Sequence, residues 1–76
     1  MKLEWTKEYC KMEYLKGIPK RYIISLQHLR TSEAEIELVH GLKTIKKQFG
    51  DKETMRRIAG EWAIQLRDEF EGRDEG

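Results

Sequence analysis

The stretch that decides the fold runs from Thr31 to Arg57 and reads TSEAEIELVHGLKTIKKQFGDKETMRR. Ser32, followed three residues later by Glu35, has the form of a capping box, in which two side chains satisfy unpaired backbone donors at a helix start. The apolar residues after it share helical spacing, namely Leu38, Leu42, Ile45 and Phe49. Gly50 supplies the residue type that ends many helices. The stretch therefore predicts a helix at about 32–49.

A second helix is predicted directly after this one. Asp51 suits its N-cap position, and the helix runs over about 52–71. Its apolar residues lie on one helical face and are Met55, Ile58, Ala59, Trp62, Ala63, Leu66 and Phe70. Because the join at Gly50-Asp51 is so short, the two helices are expected to fold back as an antiparallel αα-hairpin.

The first 30 residues favour two further helices, at about 4–15, ended by Gly17, and at about 19–29, with Pro19 in its first turn. The segment 22–27 opens on Tyr22-Ile23-Ile24, and is β-branched and aromatic enough for a strand. A strand there would need a partner from a second molecule, so a helix is preferred. The prediction is an all-α fold of three to four helices centred on the αα-hairpin, one domain over residues 1–76, with 72–76 as a disordered acidic tail.

Composition limits the classes of protein. The chain has 76 residues and a single cysteine, Cys10, so no disulfide can form within it, which favours a reducing compartment. There is no apolar run long enough for a signal peptide or a membrane span. A cytoplasmic location is expected, and oligomerisation would reinforce so small a core.

Catalytic and metal-binding patterns are missing from the sequence. His28 and His40 stand in no spacing typical of metal ligands or of an activated nucleophile, and a lone cysteine is more often a packed side chain than a catalytic one. We therefore expect no enzyme activity, no catalytic residue, no bound metal and no cofactor.

Charge is distributed unevenly along the chain. Residues 1–57 hold 13 Lys and Arg against 8 Asp and Glu, whereas residues 58–76 hold 2 against 6. In the predicted hairpin, six basic residues gather at the Gly50-Asp51 turn and form a positive tip, a candidate binding site for an acidic surface. These residues are Lys43, Lys46, Lys47, Lys52, Arg56 and Arg57.

The sequence alone does not define a function. The leading hypothesis is a non-enzymatic protein-interaction or regulatory module whose partner is another protein or a second copy of the chain. No small-molecule substrate and no membrane partner are indicated. Chains of this size and composition are also typical of small accessory proteins of phages and prophages.

The alternative is a nucleic-acid-binding regulator. With a strand at 22–27, residues 21–70 become strand, helix, turn and helix, an order that resembles the ribbon-helix-helix repressors. The resemblance implies an intertwined dimer in which Tyr22, Ile24 and Leu26 face the core. It also implies that the residues facing the DNA groove are Arg21, Ile23, Ser25 and Gln27.

Overall fold

The fold is a five-stranded antiparallel sheet followed by one helix. The computed structural model describes residues 3–6 and 11–74, with side chains as far as Glu69. The elements are β1 (Glu4–Trp5), β2 (Met12–Lys16), β3 (Tyr22–Arg30), β4 (Glu33–His40), β5 (Lys43–Asp51) and α1 (Lys52–Asp74). Neighbours in the chain are neighbours in the sheet, in the order β1-β2-β3-β4-β5, so the strands form a meander.

The predicted helix at 32–49 is wrong, because this stretch forms β4 and β5. In β4 the buried side chains alternate with glutamates, with Ala34, Ile36 and Leu38 turned inward. This period of two belongs to a strand with one buried face. Ser32 caps no helix; it lies in the β3–β4 turn, where its carbonyl accepts the Lys52 N–H at 3.0 Å.

The β4–β5 connection interrupts the apolar series from Leu38 to Phe49 that fits helical spacing. Gly41 has a φ of 67°, a left-handed conformation that glycine adopts at little cost, and Leu42 is fully exposed beside it. The Gly41 N–H donates to the Arg21 carbonyl at 2.9 Å, which ties this turn to the start of β3. The two strands reverse here, so the apolar residues on either side belong to different strands.

The helices predicted at 4–15 and 19–29 are also wrong, since the described parts of these segments contain β1, β2 and β3. Residues 7–10, which include Cys10, lie outside the described residues. The strand alternative at 22–27 is correct, and its partners are β2 and β4 of the same chain. The ribbon-helix-helix arrangement is nevertheless excluded, because the helix it requires at 32–49 is absent from the described chain.

The helix predicted at 52–71 is confirmed, and α1 extends it to Asp74. Asp51 caps it as expected, since its Oδ2 accepts the Thr54 N–H at 3.1 Å. Gly50-Asp51 therefore joins a strand to a helix, not two helices. Of the segment 72–76 predicted to be a disordered tail, residues 72–74 belong to α1, and residues 75 and 76 lie outside the described residues.

The core lies between α1 and one face of the sheet. The helix contacts β3, β4 and β5 and contributes Met55, Ala59, Trp62 and Ala63. The sheet contributes the other buried apolar residues, Leu15, Ile24, Leu26, Ala34, Ile36 and Leu38. Within the described chain, no helix combines the length and apolarity needed to cross a bilayer.

Candidate interaction surface

The six basic residues predicted to form one tip are spread over the molecule. Lys43, Lys46 and Lys47 lie along β5, whereas Lys52, Arg56 and Arg57 lie in α1. The nine residues of β5 cover about 26 Å of extended chain, so Lys43 and Lys52 are at opposite ends of the strand. The structure thus does not assemble the cluster that a helical hairpin would have produced.

Four of these six side chains contact other groups of the chain. The Lys46 ammonium lies 5.6 Å from the centroid of the Trp62 ring, and Lys47 Nζ lies 3.8 Å from a Glu35 oxygen. Arg57 pairs with Glu61 at 3.1 Å. The fourth, Arg56, binds Glu13.

The lysines of β5 occupy the edge of the sheet. β5 is the last strand, and all of its residues except Gly50 are exposed. Its pairing with β4 is irregular between Leu38 and Val39, where a bulge breaks the register. Lysines and bulges on an edge strand discourage pairing with another chain. The basic residues of β5 therefore have a structural explanation as edge protection.

A charged cluster joins β2, β3 and α1. Glu13 is buried, and its two oxygens accept from the Arg56 guanidinium at 3.2 and 2.7 Å. His28 Nε2 lies 2.7 Å from Glu13 Oε2, and the Arg56 guanidinium carbon lies 5.2 Å from the Trp5 ring centroid. The hydrogen bond from Arg56 holds the pKa of the Glu13 carboxyl below its ordinary value, although burial opposes this; the bond with His28 lowers the pKa further.

This cluster was missed in the sequence because it depends on the sheet. Glu13 and Arg56 are 43 residues apart, and the helix predicted at 4–15 gives Glu13 no contact with Arg56. Paired as it is, the cluster fastens the start of α1 to β2. We assign it a structural role.

The opposite face of the sheet, here called the open face, is covered by none of the described elements. Directly paired residues share a face, so the register defines four rows across it. The first row is Met12, Gln27, Glu35 and Phe49; the second is Tyr14, Ser25, Glu37 and Lys47; the third is Ile23, Val39 and Thr44; the fourth, beside the β3–β4 turn, is Arg30, Glu33 and Asp51.

The open face exposes large apolar side chains. Tyr14 is 44% exposed, Ile23 46% and Phe49 69%. Between them Ser25 is only 7% exposed, because neighbouring side chains cover it. An antiparallel sheet with one solvated face usually carries polar residues there, so these apolar side chains indicate a contact surface.

The open face also carries a row of carboxylates along β4. They are Glu33, Glu35 and Glu37, at alternate positions of the strand. Each of the three carboxylates has a partner. Arg30 lies 3.6 Å from Glu33, and Lys47 lies 3.8 Å from Glu35. The Thr44 hydroxyl donates a hydrogen bond to Glu37 at 2.6 Å. The surface is thus apolar with an acidic centre, which is unfavourable for nucleic acid phosphates.

Concave sites elsewhere include an open depression of about 450 Å³ that is lined by Lys46, Glu61, Trp62, Ile64 and Gln65. A cavity of about 190 Å³ lies between β5 and α1 and is lined in part by Tyr22, Ile45, Trp62 and Leu66. Among the residues that the structure describes, no three or more His, Cys, Asp and Glu come together as a metal site.

Comparisons with protein families, with curated proteins and with solved structures gave no match to this chain.

Proposed function

We propose that the chain is a non-enzymatic protein-interaction module whose binding surface is the open face of the sheet. The observation that carries the proposal is the exposure of Tyr14, Ile23 and Phe49 on a face that no described element covers. Apolar side chains grouped on one face are typical of protein contact surfaces, whereas single exposed apolar residues are ordinary.

The charges on this face favour a protein over a nucleic acid. Carboxylates on β4 would be brought against the phosphates of any nucleic acid lying across the sheet. Two of the three lysines of β5, Lys47 and Lys46, are engaged with Glu35 and Trp62. Nucleic-acid binding depends on exposed cations that displace counterions. A gel shift with duplex DNA is therefore expected to show no complex at low salt.

A cytoplasmic location is part of the proposal. One cysteine in 76 residues leaves the chain without an internal disulfide to favour an oxidising compartment.

Site-specific photocrosslinking tests the proposal. Two full-length variants carry benzoylphenylalanine in native cells, one at position 23 on the open face and one at position 64 on α1. These positions are a matched pair, because both are isoleucines and they are 46% and 52% exposed. We expect a crosslinked protein, identified by mass spectrometry, from position 23 and none from position 64. Crosslinks from position 64 alone, to nucleic acid, or from neither position would contradict the proposal.

A further inference from the structure

We infer that the occupant of the open face is a second copy of this chain, an inference that rests on the proposed function. The molecule would then be a symmetric dimer with two sheets packed face to face and the helices outside. Two features of the open face carry the inference, namely its area and the complementarity of its rows under a twofold rotation.

The area is sufficient for a specific dimer. The 31 residues of β2 to β5, at about 3.3 Å each along strands spaced at about 4.8 Å, give a face of about 500 Å². Two such faces bury about 1,000 Å² before side-chain relief is counted, which is at the lower end of specific interfaces. A chain of 76 residues has one small core, and association is a common way in which so small a domain gains stability.

The apolar residues match under a twofold axis that runs parallel to the strands between β3 and β4. This rotation lays β3 over β4 of the second copy, and β2 over its β5. Within each row it places Met12 against Phe49 and Ile23 against Val39 of the second copy. Each contact occurs twice, as an isologous interface requires, and apolar pairs of this kind form the core of a sheet-on-sheet packing.

The polar residues match under the same rotation. Lys47 faces the Tyr14 ring of the second copy, a cation–π arrangement, and Glu37 faces its Ser25 hydroxyl, a possible donor. No row sets like charges against each other.

The perpendicular twofold axis does not give this match. When it lies between the first two rows it exchanges them, so Glu35 faces Glu37 of the second copy, and a like-charge contact occurs twice. Like charges opposed at an interface are unfavourable. The first two rows therefore favour the twofold axis that runs parallel to the strands.

Sedimentation equilibrium of the full chain tests the inference. Wild type is expected to approach twice the 9.1 kDa chain mass as its concentration is raised about a hundredfold. Ile23→Lys places a charge in the apolar contact between Ile23 and Val39 of the second copy and is expected to weaken dimerisation at least about a hundredfold. Ile64→Lys, at a matched exposure on α1, is expected to leave it unchanged.

Phe49→Lys is a second open-face variant. Phe49 is 69% exposed in the single chain, so this variant still tests the interface if Ile23→Lys does not fold. Circular dichroism selects the variants that fold, and each folded open-face variant is expected to be monomeric. Wild type that stays monomeric throughout, or a dimer that resists the open-face variants, would overturn the inference. If wild type is monomeric while position 23 crosslinks to a different protein, the proposed function survives without the dimer; if position 23 crosslinks to no protein, both are wrong.

Discussion

Glu13 lies in an environment that differs strongly from water. It is a carboxylate with a side chain 10% exposed, and Arg56 and His28 supply its hydrogen bonds. Removing one member of a buried ion pair costs more than the pair itself contributes, because the remaining charge loses its partner.

Glu13→Ala is therefore expected to lower the free energy of unfolding by roughly 1–3 kcal/mol, less than for a fully buried pair because Arg56 is partly exposed. Glu61→Ala is the matched control, since Glu61 pairs with Arg57 on the surface and its loss is expected to cost less than about 0.5 kcal/mol. Urea unfolding measures both. Equal losses of unfolding free energy in the two variants would show that the buried ion pair stabilises the fold no more than the surface pair does.

The same carboxyl makes stability depend on pH. The pKa of the Glu13 carboxyl is lower in the folded chain than in the unfolded chain, so the unfolded chain binds the proton more tightly. The contribution of the ionised carboxyl to the free energy of unfolding is therefore complete only above the ordinary pKa of 4.5. This contribution is lost as the pH falls below that value through the folded pKa. Glu13→Gln is expected to flatten the acid limb of a plot of unfolding free energy against pH. An acid limb as steep as that of wild type would contradict the assignment.

At the scale of elements, the start of α1 was predictable and the strands before it were not. Asp51 caps the helix, and the apolar face from Met55 to Ala63 has no competing period. In β4 the sequence Glu33-Ala34-Glu35-Ile36 alternates strictly, but Leu38, Leu42, Ile45 and Phe49 also fit a helix. Only the Gly41 turn decides between the two patterns, because it separates Leu38 from the rest.

The open face could not be predicted once this stretch was taken as a helix. A sheet that is covered on one side leaves its other face exposed, whereas the predicted all-α fold distributes the same residues over three separate helices. Tyr14, Ile23 and Phe49 are far apart in the sequence, and only the register of β2 to β5 brings them to one face.

The Asp51 cap stabilises the start of α1. Asp51→Ala is expected to lower the free energy of unfolding by about 1 kcal/mol, because the Thr54 N–H loses its acceptor. Asp51→Asn keeps a side-chain oxygen at the cap and is expected to retain most of the stability. Thermal unfolding followed by circular dichroism compares the two, and equal losses would contradict the capping role.

At the scale of the whole molecule, one helix covers one side of the sheet, and none of the described elements covers the other side. That other side carries exposed apolar residues and the paired glutamates of β4. The lysines of β5 protect the edge of the sheet. The edge is defended against indiscriminate strand pairing, whereas the face remains available for a specific contact.

The most direct test of this account is an isotope-filtered nuclear Overhauser experiment on a mixture of labelled and unlabelled chain. Ile23 and Val39 are neighbours within each chain, and the filter retains only contacts between two copies. The account predicts intermolecular contacts from the Ile23 methyl groups to Val39, and from Met12 to Phe49. A dimer whose intermolecular contacts come instead from Ile45 and Ile64, or a chain with none at concentrations far above those of a cell, would contradict it.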